Sequence, residues 1–140
     1  LARPGHKIEL SPAERNLWDS IASLLDESPY NPPRVRDIAK LTNIPEAEIR
    51  ANLRRVARIG DVALVALDHF FLIHRVDEMA RIAAELHTLH GAVRAADFRD
   101  RIGGGRKVAI QILEFFDRVG YTRRLRDDHL IRRSNPFELR

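Results

Sequence analysis

Two pairs of cations carry the clearest chemistry in this chain. Arg106 and Lys107 open a helical pattern directly after Gly103-Gly104-Gly105, and Arg123 and Arg124 sit in a short strand-like run further on. Cations at a helix N-terminus oppose the helix macrodipole by roughly a few tenths of a kcal/mol, so folding alone gives no reason to place them there. An external anion does. Two side chains, together with the backbone N–H groups that a glycine turn at Gly104 and Gly105 leaves free, would hold a phosphate. Arg123, Arg124 and Arg126, in and around a hairpin turn, would clamp a flanking strand of the same polyanion, and Arg99 and Arg101 would extend the patch.

The elements that position these groups follow from the pattern. Ser11-Pro12-Ala13-Glu14 reads as a capping box with proline at the first helical position, followed by an apolar stripe of Leu17, Ile21, Leu24 and Leu25 to about Asp26. Pro29, Pro32 and Pro33 then break the chain. A short helix over Val35 to Leu41, a turn over Thr42 to Pro45 and a longer helix to Ile59 come next, with Pro45 expected at the first helical position and Gly60 as the stop. Val62 to Leu67, Asp68-His69 and Phe70 to Ile73 read as strand, turn and strand.

The same order then recurs. A shift of sixty residues, without a gap, superposes Asp37 on Asp97, Leu53 on Leu113, Arg58 on Arg118, Gly60 on Gly120, Asp68 on Asp128 and His69 on His129. The second copy reads as a helix from Val76 to about Leu89, a stop at Gly91, a short helix over Ala95 to Ile102, the glycine turn, a long helix from Arg106 to Val119, and strands over Tyr121 to Leu125 and His129 to Arg133. Helix, helix, turn, helix and hairpin, twice over, predicts an α+β fold, mainly helical, of two tandem winged-helix modules: residues 1–74 and 75–140. Residues 1–74 hold ten Lys/Arg and ten Asp/Glu, and residues 75–140 hold fourteen and ten, so the whole net charge of +4 lies in the second module. At the start of the long helix Glu46, Ala47 and Glu48 of the first copy give way to Arg106, Lys107 and Val108, and in the hairpin Val62, Ala63 and Leu64 give way to Thr122, Arg123 and Arg124. The first module is thus expected to be a neutral spacer or scaffold and the second a basic, nucleic-acid-binding module.

Other chemistries find little support. There is no cysteine, hence no disulfide framework or thiolate site, as suits a reducing cytoplasm. The longest apolar run, Val62 to Leu67, is far short of the ~20 residues of a membrane span. The glycine turn does not complete a nucleotide-binding loop, since Arg106 and Val108 replace its last glycine and its hydroxyl residue. His87 and His90 lack a third metal ligand, and neither a G-x-S-x-G elbow nor a carboxylate pair in a pocket is legible, so no enzyme, metal or cofactor is expected in this chain. Beginning at Leu1, it is expected to be a fragment. Its basic helix and wing leave open a DNA-binding transcription regulator, and the neutral first copy a protein-interaction module.

Ala95 to Gly103, Gly105 to Gly120, Thr122-Arg123-Arg124 and His129 to Arg132 closely resemble the C-terminal winged-helix module of bacterial selenocysteine-specific elongation factors. The first module resembles the family's penultimate winged helix in pattern, through Ser11-Pro12 and Val35-Arg36-Asp37. The resemblance implies a cytoplasmic arm, without cofactor of its own, that binds an mRNA stem-loop, the selenocysteine insertion element. Selenocysteine would thereby be inserted at UGA on the ribosome, while a missing N-terminal part carries GTP and selenocysteyl-tRNA. An A-form stem has a major groove too narrow for a helix, so such a module should grip backbone and an unpaired feature. Gln111 and His129 are candidates for hydrogen bonds to an exposed base, although Gln111 reads equally well as a solvated helix residue. Two covalent copies leave little need for dimerisation, and a monomer is expected.

Overall fold

The computed structural model describes residues 9–138. Their elements run α1 (Pro12–Glu27), α2 (Val35–Thr42), α3 (Glu46–Ile59), β1 (Val62–Ala66), β2 (His69–Leu72), α4 (Ile73–His90), β3 (Val93–Arg94), α5 (Ala95–Ile102), α6 (Arg106–Arg118), β4 (Thr122–Leu125) and β5 (Asp128–Ile131). The chain is α+β and mainly helical, with two winged-helix units in tandem. No helix among the described residues is long and apolar enough to cross a membrane.

Local chemistry sets most boundaries. At α1 the Ser11 hydroxyl accepts from the Glu14 amide (3.1 Å) while the Glu14 carboxylate accepts from the Ser11 amide (2.8 Å), which satisfies two N-terminal donors reciprocally. Gly60, at φ +100, ends α3 in the left-handed conformation. Pro45 is the N-cap of α3 rather than its first helical residue. Helix α4 begins at Ile73, three residues before the expected Val76, because β2 runs straight into it with Leu72 as N-cap. The apolar run Phe70 to Ile73 therefore belongs partly to a strand and partly to a helix.

The two hairpins differ by one residue. Val62 pairs with Leu72 in the first, with a bulge between Leu64 and Ala66, whereas Thr122 pairs with Ile131 in the second without one. The gapless sixty-residue offset thus slips inside the wing. A third strand, β3, was not expected: Val93 pairs with His129 and the sheet order is β3-β5-β4. Sixty positions earlier stand Pro33 and Arg34, and Pro33, like Pro32 before it, has no N–H to give a ladder. All that remains there is the Val35 amide donating to the Asp68 carbonyl (3.0 Å). The Pro32 carbonyl turns instead to His69 Nε2 (2.6 Å).

The first hairpin has a second duty. Strand residues alternate between faces, and here both faces are covered. Val62, Phe70 and Leu72 pack with Ile21, Leu53 and Val56 of the first module. Val65 and Phe71 pack with Val76, Leu113 and Phe116 of the second. The hairpin is a shared wall, tied further by Arg118 Nη2 donating to the Val65 carbonyl (2.9 Å). On the far side Tyr30 donates to Glu78 (2.7 Å), and Arg75 bridges Asp26 (2.9 Å) and Glu78 (3.0 Å). The first module therefore supplies part of the wall on which α6 rests.

Candidate nucleic-acid interface

Helix α5 ends at Gly103, which takes φ +71 and donates its amide to the Arg99 carbonyl (2.9 Å). Gly104 and Gly105 carry the chain to α6, whose N-cap is Gly105, with φ −75 and ψ 158. No side chain caps this helix and its first turn holds no acid. The amides of Arg106, Lys107 and Val108 consequently have no partner within the helix. At Gly105 an added Cβ would meet nothing within 4 Å. Glycine there is required by neither backbone angle nor packing inside the chain.

Adjacent residues on a helix do not share a face, and α6 sends its two opening cations to different sides. Arg106 lies with Ile110 and Glu114 on a groove of about 300 Å³ between α6, the start of α5 and the wing, which Arg94 and Arg124 also line. Lys107 lies with Gln111 on a cleft of about 390 Å³ toward the first module, lined also by Arg34 and Arg36. The wing divides its arginines in the same manner. Arg124 faces the groove, with its Nε held by the Arg126 carbonyl (2.8 Å). Arg123 is exposed but, as its strand neighbour, points to the other face. Arg126 is exposed in the turn at φ +59. The structure thus brings Arg106 and Arg124 together, and sets Lys107, Arg123 and Arg126 outside their groove.

Arg94, 3.7 Å from Asp128, is a groove cation that sequence reasoning missed. It sits on β3, a strand of two residues too short to leave a pattern. Glu114, Asp127 and Asp128 line the same groove, so it offers acceptors as well as positive charge.

A polar bracket fixes the wing on α6. Asp117 accepts from Thr122 Oγ1 (2.5 Å) and holds His129 Nδ1 at 2.9 and 3.0 Å. With both oxygens of the Asp117 carboxylate, an acceptor only, against it, Nδ1 carries the proton. His129 is 6% exposed, which leaves no more than an edge of its ring to the groove floor. Its Nδ1 is taken up internally by Asp117, while the residue still lines the groove. Gln111 is likewise engaged, its Oε1 accepting from Arg34 Nη2 across the module boundary (3.3 Å). Each is held at one atom, and Gln111 Nε2 and His129 Nε2 have no hydrogen-bond partner among the described residues.

Arg99 and Arg101, in the last turn of α5, face acids: Asp100 at 3.3 Å and Glu85 at 2.7 Å. Cations complement a helix C-terminus, and neither lines the groove. Among the described residues no group of three or more His, Asp and Glu could hold a metal, and His87 and His90 simply occupy the last turn of α4.

Residues 85–131 match the family model described as elongation factor SelB, winged helix. The selenocysteine-specific elongation factor of Escherichia coli (strain K12) is 41% identical over 134 residues, which cover 96% of this chain and 21% of that protein. The factor of the same name from Haemophilus influenzae is 30% identical over 136 residues, covering 97% of this chain and 22% of the relative. The chain therefore spans about a fifth of the length of the curated relatives it matches. Among solved structures, that of the mRNA-binding domain of elongation factor SelB from E. coli in complex with SECIS RNA superposes with a TM-score of 0.80 at 40% identity, covering 89% of this chain and all of that one.

Proposed function

This chain belongs to the SelB elongation-factor family, and on that premise we propose that it binds a selenocysteine insertion hairpin in mRNA through its second winged-helix module. The observation that carries the reading is the uncapped N-terminus of α6, where a basic first turn and free amides border the groove lined by Arg94, Arg106 and Arg124. An A-form stem would be gripped by its backbone, since its major groove is closed to α6. Cations there neutralise phosphates, while Glu114 and Asp127 offer acceptors to a 2′-hydroxyl or a base amino group, which a purely phosphate-binding surface would not need. Arg123 and Arg126 reach a flanking strand from the outer side of the wing.

In the whole protein this arm would hold the message beside a UGA codon while the remaining parts carry GTP and selenocysteyl-tRNA to the ribosome, in the cytoplasm. The chain itself contributes recognition, not bond making, and needs no cofactor for it. Reversing Arg106 and Lys107 to glutamate should abolish hairpin binding without unfolding the module, whereas Glu46→Gln with Glu48→Gln should leave it unchanged. Titration of a labelled RNA hairpin, with duplex DNA of matched length as competitor, measures both. Equal losses from the two pairs, or preference for the DNA, would overturn the reading.

A further inference from the structure

The cleft between the modules has a charge balance that the hairpin reading leaves unexplained. It is lined by Arg34, Arg36, Glu46, Leu67, Asp68, Lys107 and Gln111. Its two acids share one guanidinium, for Arg50 holds Asp68 through two hydrogen bonds of 2.9 Å and stands 3.5 Å from Glu46, so the lining cations Arg34, Arg36 and Lys107 face only the single negative charge that remains. Arg34 is half-buried, yet its guanidinium donates only to neutral acceptors, the Leu67 carbonyl (3.1 Å) and Gln111 Oε1 (3.3 Å), with no carboxylate within ion-pair distance among the described residues. Asp37 is occupied by the Arg34 amide (3.1 Å) and reaches only the exposed Arg36, at 3.9 Å. Lys107 is exposed and has no ion pair among the described residues. A partly buried cation without a counterion is costly unless something outside the chain supplies one.

We infer that this cleft is a second phosphate site, built by both modules, for the RNA strand that continues beyond the hairpin. The inference rests on the reading of the second module as the hairpin binder. The cleft and the Arg106 groove lie on either side of one helix, about 10 Å across, so a strand leaving the groove reaches the cleft over the first turn of α6. Gln111 is a positioning residue in this arrangement: a neutral acceptor orients Arg34 without cancelling its charge. The first module then contributes directly to binding, through Arg34 and Arg36, despite its zero net charge.

The test uses the 140-residue chain and two RNAs, the minimal hairpin and the same hairpin extended by single-stranded RNA, each titrated over a range of KCl. Arg36→Gln should lower the log–log salt slope for the extended RNA by about 0.7, the equivalent of one phosphate released, and leave the slope for the minimal hairpin nearly unchanged. Gln111→Glu, which pairs Arg34 internally while keeping its contact, should lower the extended-RNA slope by about one such step while the free chain unfolds at the same or a higher temperature. Arg34→Lys should retain the slope. Equal slopes for the chain and its variants on the extended RNA would overturn the cleft alone. Failure of the unaltered chain to bind the minimal hairpin would overturn the hairpin reading as well.

Discussion

Replacing Gly105 by aspartate should stabilise the protein and disable it. The residue has the extended N-cap conformation, φ −75 and ψ 158, close to that of Ser11, φ −63 and ψ 164, whose hydroxyl caps α1 in this same chain. A Cβ at Gly105 meets nothing within 4 Å, so the substitution carries no steric cost. Aspartate exceeds glycine as an N-cap by roughly a few tenths of a kcal/mol, and its charge adds about 0.3–1 kcal/mol by complementing the dipole. The sum, about 1 kcal/mol, corresponds to a rise in Tm of about 3 °C for a chain of this size. The same carboxylate would occupy the amides proposed for phosphate and place a negative charge beside it, so hairpin affinity should fall at least about tenfold, or 1.4 kcal/mol. Thermal unfolding by circular dichroism and anisotropy titration of a labelled hairpin give the two numbers from one sample. A raised Tm with unchanged affinity would remove the anion from the helix N-terminus. A lowered Tm would show that the cap geometry is wrong.

Three further outcomes follow from the geometry. Arg124→Gln should weaken hairpin binding several-fold more than Arg123→Gln, because only Arg124 faces the Arg106 groove; equal effects in a titration at fixed salt would contradict the division of the wing. Burial holds the His69 imidazole well below its ordinary value of 6.5, at about 4, so the unfolded chain binds the extra proton between these values. The stability this contributes is fully present above pH 6.5 and is lost as the pH falls toward 4, by about 3 kcal/mol in all, measurable by urea unfolding at stepped pH and absent in His69→Gln. Phe71→Ala should cost about 3–5 kcal/mol and reduce amide-exchange protection in α6 as well as β1, since Phe71 packs in the second module's core; protection lost from the first module alone would refute the shared wall.

Much of the fold was legible because its signals are local. Ser11 with Glu14, Gly60, Gly91 and Gly103 mark helix ends through chemistry confined to a few residues, and all four appear where the sequence puts them. The bulge at Val65 and the strand Val93–Arg94 were not legible. A bulge is an alignment defect between two strands, and a two-residue strand exists only by virtue of the partner it pairs with. Missing the strand meant missing Arg94. Residue type correctly marked Arg106, Lys107 and Arg124 as exposed cations, but not the face each takes, which depends on how the wing docks. The engagement of Gln111 by Arg34 and of His129 by Asp117 could not be read at all, since both partners are distant or set by tertiary packing.

The internal repeat looked like a control experiment, one scaffold with cations and one without, and the structure changes what that control means. Val62, Ala63 and Leu64 replace the Thr-Arg-Arg of the second wing, but Val62 is buried in one core and Ala63 packs against the other. At Val62 and Ala63 apolarity is a packing requirement, because a guanidinium at Ala63, the counterpart of Arg123, would lose water without gaining a partner, whereas Leu64, the counterpart of Arg124, is exposed. Absence of charge at Val62 and Ala63 therefore says nothing about whether the first module meets RNA, and in the wing only the exchange of Leu64 for Arg124 is a fair comparison. The helix N-termini remain a fair comparison, since both are exposed, and there the acids Glu46 and Glu48 stabilise α3 while Arg106 and Lys107 do not stabilise α6. The case for an external anion rests first on that difference, and it is strengthened by an uncompensated Arg34 in a module whose charges sum to zero.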